Sequence, residues 1–264
     1  MMSPNSICNF FKMALASLCM ALFGNFSSAQ TMITVAAASD LKFALEEVAT
    51  QFEKNTGFKL RLIFGSSGNF YSQILQGAPF HIFMSADENL IFKLADSAHT
   101  TDRGKLYAFG RIGLMTPKGS IIELDPELSG LRKAVENGQI KRFALANPAH
   151  APYGMRAKEA LERAGLWDRL EPFLVFGENV SQAAQFAISG STQGGIIAYS
   201  LAIAPQVALR GNFVLIPDSW HAPLAQRMVI LRGAPDAAKT FYEYLSTPDA
   251  QSIMMKYGFI MPKE

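Results

Sequence analysis

Apolar and polar positions along this chain switch repeatedly between a period of two and a period of three to four. Residues 32–36 form a short β-type run, and 40–53 follow with Leu41, Ala44, Leu45, Val48, Ala49 and Phe52 on one helical stripe. A second strand is predicted at 60–64, a second helix at 69–76 and a third strand at 81–84. A further helix opens after Asp87 with Leu90, Ile91 and Leu94 inward. Three strand–helix units in succession predict a parallel sheet flanked by helices, where ligands bind beyond the carboxyl ends of the strands. Ala38 and Ser39, Ser66 and Ser67, and Ser85 and Ala86 all fall at that edge.

The plan then repeats. A strand at 111–116 runs into the turn Pro117-Lys118-Gly119, and 125–137 reads as a helix with a proline in its first turn. Strand 142–146, helix 153–164, strand 173–176, helix 180–188 and strand 195–198 follow, and a strand at 227–231 leads into helices at 235–245 and 248–256. If 111–116 leaves one lobe and 227–231 returns to it, the chain is a two-lobe α/β protein. Each lobe is then a mostly parallel sheet flanked by helices, and two crossovers make a hinge. The predicted division is residues 30–111 with 226–264 in lobe 1 and 112–225 in lobe 2.

Residues 1–29 differ in kind. Lys12 is their only charge, 13–23 is an apolar run, and Ser27-Ser28-Ala29 closes it with small residues, the pattern of a cleavable signal peptide. The run is too short to anchor a membrane, and no later stretch approaches the ~20 apolar residues needed, so a periplasmic location is expected. Cys8 and Cys19 both lie in this segment, so the exported part has no thiol. Leu18 before Cys19, where a small residue would be expected, and the apolar run beyond it argue against a lipid anchor. Removing Lys12 from 24 basic residues, against 22 acidic, leaves a net charge near +1 and no field to hold nucleic acid. With 49% hydrophobic and 17% charged residues, the remainder suits a soluble globular protein.

Enzyme chemistry finds little support. His81, His99, His150 and His221 have no metal-ligand spacing, and the turn Gly65-Ser66-Ser67-Gly68-Asn69 lacks the second glycine of a nucleophile elbow. Asp40 and Asp87 each precede a helix, where a carboxylate caps free N–H groups. What remains is a set of neutral donors at helix starts: Ser39, Ser67, Ala86, Tyr153 and Val180. A fully ionised oxyanion offers only acceptors, so its site needs only donors, and helix N-termini favour its charge. The Gly65 turn, with the Ser66 and Ser67 hydroxyls, reads as half of such a cradle.

The motifs Ala36-Ala37-Ala38-Ser39-Asp40-Leu41, Gly65-Ser66-Ser67-Gly68-Asn69-Phe70-Tyr71, Gly77-Ala78-Pro79-Phe80 and Ser85-Ala86-Asp87 are followed by Asn147-Pro148 and Ala151-Pro152-Tyr153-Gly154. In this order they resemble the periplasmic molybdate-binding proteins of ABC uptake systems, from about Met32 to Tyr257-Gly258-Phe259. The resemblance implies a type II periplasmic binding-protein fold whose lobes close on molybdate or tungstate and present it to a membrane ABC permease. It implies a monomer with no enzyme activity and no cofactor. Carried over by motif, the oxyanion contacts are Ser39 and Ser67 through hydroxyl and N–H, the N–H groups of Ala86 and Val180, and a tyrosine hydroxyl; none ligates the metal directly. The intact Ala-Pro-Tyr-Gly turn assigns the tyrosine to Tyr153 ahead of Tyr199, since Ala198 holds the aligned place in the later strand. Asp40 stands where some relatives have a neutral residue. It is expected to turn away and cap the helix near Phe43, with only its N–H near the ligand. A binder of sulfate or another tetrahedral oxyanion is the alternative within the fold. A secreted hydrolase with Ser39 or Ser67 as nucleophile is the alternative outside it. His81, where relatives often carry an acid, has no functional reading.

Overall fold

The computed structural model describes residues 32–263, so the predicted signal peptide lies outside the described residues. Strands β1 (Met32–Ala38), β2 (Lys59–Gly65), β3 (Ile82–Ser85), β4 (Lys105–Gly110) and β10 (Leu224–Ile230) form one sheet in the order β2-β1-β3-β10-β4. Strands β5 (Ile112–Pro117), β6 (Phe143–Ala146), β7 (Leu174–Gly177), β8 (Gly194–Ala198) and β9 (Gly211–Leu215) form the other, in the order β7-β6-β8-β5-β9. The helices flanking them are α1 (Lys42–Thr56), α2 (Ser67–Leu75), α3 (Glu88–Asp96), α4 (Ser129–Glu136), α5 (Pro152–Arg163), α6 (Trp167–Leu170), α7 (Val180–Ile188), α8 (Tyr199–Ala202), α9 (Pro205–Ala208), α10 (Ala237–Tyr244) and α11 (Pro248–Lys256).

As expected, each sheet is mostly parallel in strand direction, with one of its five strands reversed. β1 pairs in parallel with β2 and β3, and β6 with β7 and β8. β10 is antiparallel to both its neighbours, and so is β5. Each reversed strand is the first after a crossover, and it enters its sheet from the end at which the other strands finish. β4 passes into β5 through Arg111 alone, and β9 returns to β10 through residues 216–223. β4 and β9, both absent from the sequence reading, lie at sheet edges.

Helix α1 buries the predicted stripe Ala44, Leu45, Val48, Ala49 and Phe52, and ends where Gly57, at φ 76°, turns its N–H onto the Glu53 carbonyl at 2.9 Å. Its Phe52 meets Phe241 of α10 edge to face, with ring centroids 4.9 Å apart. The C-terminal helices thus complete the core of the first lobe, sharing one cluster with Ile33, Val35 and Leu41. Helix α4 starts later than predicted, because the Asp125 carboxylate holds the N–H groups of Ser129 (2.9 Å) and Gly130 (2.8 Å) and leaves Pro126 outside the helix. His81 has a structural account: its Nδ1 accepts the Thr34 N–H at 3.0 Å and its own N–H reaches the Thr34 carbonyl at 2.9 Å, extending the pairing of β3 with β1.

Candidate functional site

Strands β1, β2 and β3 finish side by side and deliver Ser39, Ser66 with Ser67, and Ala86 to one place. The starts of α5 and α7 face them from the other lobe. Between them lies a cavity of about 10 Å³, roughly one water-sized sphere, lined by all six expected residues: Ser39, Asp40, Ser67, Ala86, Tyr153 and Val180. Ser39 opens a 3₁₀ turn (Ser39–Leu41), Ser67 opens α2 and Val180 opens α7, so each carries an N–H without an intrahelical acceptor. Asn179 caps α7 by accepting the Gln182 N–H at 3.1 Å. Among the described residues no lysine, arginine or histidine lines the cavity, and Asp40 is the one charged group that does. The Ala86 N–H, expected to reach a ligand, is given instead to Ser67 Oγ at 3.0 Å. The Ser67 hydroxyl therefore accepts from Ala86 and keeps its own proton to donate.

Asp40 does not cap the helix near Phe43. The 3₁₀ turn comes before α1, whose N-terminus has no side-chain cap, and Asp40 is buried at 1% exposure. Its Oδ2 accepts the Tyr153 hydroxyl at 2.9 Å and Gln226 Nε2 at 2.7 Å, and Gln226 Nε2 also lies 3.0 Å from Tyr153 Oη. Tyr107 closes the group by donating to Gln226 Oε1 at 2.6 Å. The single proton of Tyr153 is thus directed at Asp40. Burial lifts the Asp40 pKa from 3.8 to about 6, although the bonds from Gln226 and Tyr153 pull it down. Burial and the Asp40 charge raise both tyrosines well above 10.0. Gly110 makes room for the group: a Cβ there would stand 2.1 Å from Tyr153 Oη and 2.7 Å from Gln226 Nε2. Tyr199 is placed elsewhere, stacked on Phe213 at 5.6 Å with the Arg111 guanidinium over its ring.

The Ser66 hydroxyl, read from sequence as part of the cradle, instead reaches across the cleft. It donates to the His150 carbonyl at 2.6 Å, with His150 Nδ1 2.9 Å from the same Oγ. Gly68 N–H shares that carbonyl at 2.9 Å, and Asn69 Nδ2 donates to Glu178. On the other side Ser181 binds Ser39 twice, N–H to Oγ at 3.3 Å and hydroxyl to carbonyl at 2.7 Å, and the Ser200 hydroxyl holds the Asp40 carbonyl at 2.8 Å. These bonds close the lobes over the cavity. The sequence offers no reading of Gln226, Tyr107 or Ser200, weighs His150 only as a metal ligand, and places Ser181 only in a turn at the binding edge. Of the first three, Gln226 alone left a trace there, a polar residue at an inward position of a strand.

Residues 33–260 match the family model described as bacterial extracellular solute-binding protein. The molybdate-binding protein ModA of Rhodobacter capsulatus is 34% identical over 231 residues, covering 86% of this chain and 88% of that one. The solved Azotobacter vinelandii periplasmic molybdate-binding protein superposes with a TM-score of 0.80 at 28% identity, covering 88% of this chain and 100% of that one. The sulfate-binding protein SubI from Mycobacterium tuberculosis superposes with a TM-score of 0.72 at 16% identity, covering 87% and 86%, a likeness of fold alone. The chain belongs to the bacterial extracellular solute-binding proteins, as a homologue of the molybdate-binding members among them.

Proposed function

We propose that this protein captures molybdate or tungstate between its two lobes in the periplasm and delivers it to a membrane ABC permease. One observation carries the reading: orphan N–H groups of Ser39, Ser67 and Val180, drawn from both lobes, converge with the Ser67 hydroxyl on one small cavity that holds no cationic side chain. Such a donor set suits a compact oxyanion, whose charge is offset by dipoles and hydrogen bonds rather than by an ion pair. The homology to molybdate-binding proteins supports the choice of anion. The protein works as a monomer, by capture and release without turnover or cofactor, and a cleaved signal peptide exports it. A hydrolytic reading has a serine beside an imidazole in Ser66 and His150, but the serine proton is given to the His150 carbonyl and not to the ring.

Calorimetric titration of the exported chain, stripped of ligand by partial unfolding and dialysis, tests this with molybdate, tungstate, sulfate and phosphate in turn. Tight one-to-one binding of molybdate and tungstate with much weaker sulfate is expected. Equal binding of sulfate removes the named anion and keeps the oxyanion site. No binding of any of the four overturns the reading.

A further inference from the structure

Asp40 lines the cavity, and its Oδ1 has no hydrogen-bond partner among the described residues, although the N–H groups of Asp40 and Leu41 lie close enough to favour the ionised carboxylate. Asp40 Oδ2 takes the Tyr153 proton and a Gln226 N–H, and Gln226 Oε1 takes the Tyr107 proton, so both tyrosine hydroxyls are committed. Asp40 Oδ1 is buried and receives neither of them. The titratable groups against the carboxylate are Tyr153 and Tyr107, and no cation among the described residues pairs with it. On the elements packed around its turn, several charges are engaged elsewhere, and Arg61 of β2 and Lys54 of α1 lie on the same elements. Lys42 pairs with Glu46 and Lys59 with Glu53, each at 2.8 Å, and Arg227 with Glu88 at 2.9 Å. Glu178 takes Asn69, and Arg111 lies over the Tyr199 ring.

An oxyanion seated in this cavity of about 10 Å³, roughly one water-sized sphere, brings acceptor oxygens toward the Asp40 carboxylate. Two bare acceptors repel there; one proton between them turns the contact into a charge-assisted hydrogen bond. Resting on the oxyanion reading above, we propose that each anion is captured together with one proton, held between Asp40 Oδ1 and a ligand oxygen. The proton comes from water. It arrives either on the anion as its hydrogen form or on the carboxyl group, and both routes end in the same shared bond, with no other bond made or broken. The burial that raises the Asp40 pKa to about 6 acts in the same direction. The site then selects on basicity as well as size: the anion of a strong acid, such as sulfate, holds the shared proton less well than the anion of a weaker acid.

The test is calorimetry of the exported chain with sodium molybdate at pH 8, in buffers of different ionisation enthalpy, which counts the protons exchanged. The expected result is uptake of about one proton per anion, with affinity falling about tenfold per pH unit between pH 7 and 9. Asp40→Asn keeps an acceptor for Tyr153 and places an amide N–H at the Oδ1 position, so it binds molybdate with no proton uptake and no pH slope. Tight molybdate binding by the wild type without proton uptake overturns the proposal and leaves the oxyanion reading intact. Uptake that persists in Asp40→Asn overturns the assignment to Asp40. The wild-type count decides the matter if the variant fails to fold. Failure to bind molybdate, tungstate or sulfate at all overturns the oxyanion reading and this proposal together.

Discussion

Gly68 is the residue whose side chain would wedge the lobes apart. A Cβ there would stand 2.4 Å from the His150 carbonyl oxygen and 3.0 Å from its Cα, both backbone atoms that have no rotamer to retreat into. Ordinary contact requires α2 and the His150 turn to separate by about 1 Å, beyond hydrogen-bond range for the Gly68 N–H, now at 2.9 Å, and for the Ser66 hydroxyl, now at 2.6 Å. Two such bonds contribute about 0.5–1.5 kcal/mol each, so Gly68→Ala costs the closed form about 1–3 kcal/mol. Molybdate binding then weakens by about 5- to 150-fold in a calorimetric titration. The separated lobes lose nothing, since Gly68 is the second residue of a helix, where alanine is favoured over glycine by up to about 1 kcal/mol. Thermal unfolding without ligand therefore stays unchanged or shifts upward. Wild-type affinity in Gly68→Ala would refute the idea that this contact forms part of the bound state.

Other substitutions separate the site from the scaffold. Ser67→Ala removes a hydroxyl donor to a charged ligand, about 1.5–3 kcal/mol, and weakens molybdate binding by about 10- to 150-fold; an unchanged titration counts against Ser67 as a contact. Phe52→Ala empties a fully buried site against Phe241 and Tyr244 and lowers the free energy of unfolding by about 3–5 kcal/mol in urea, leaving ligand affinity unchanged. The Asp40 carboxyl, at about 6 folded and 3.8 unfolded, holds more protons in the native state between those values. Its contribution to stability therefore falls as pH rises from about 4 to 7, by up to about 3 kcal/mol. Urea unfolding across that range shows wild type losing stability relative to Asp40→Asn as pH rises; equal slopes mean that the carboxyl is solvated.

What the sequence made legible follows from periodicity. Central strands and the long helices each bury one face, so β1, α1, α7 and α11 announced themselves, and the cavity residues followed because each sits at a helix start. The edge strands β4 and β9 carry half-buried residues without clean alternation, and their pattern is lost among loops. The direction of Asp40 was legible only in part: the 3₁₀ turn that carries it inward differs from a helix start by one hydrogen-bond register. Its partner Gln226 lies 186 residues away in sequence. Yet Leu224, Gln226 and Met228 point inward together from β10, all at 2% exposure or less. A glutamine in that register demands a buried polar partner and is a signal that a sequence reading can use.

The two crossovers differ in length, one being Arg111 alone and the other residues 216–223. A single-residue connection permits rotation about its own φ and ψ but almost no sliding, whereas the longer one follows wherever the first allows. A swing that parted the lobes would therefore pivot at Arg111, whose carbonyl takes the Tyr199 N–H at 2.9 Å and whose guanidinium rests on the same ring at 4.6 Å. Atoms close to a pivot travel least. The Asp40–Tyr153–Gln226 group, which joins the two lobes, packs against Gly110, one residue from that connection. A pivot beside the site would leave Asp40 standing where an anion is to be met, whatever the distance the rims travel.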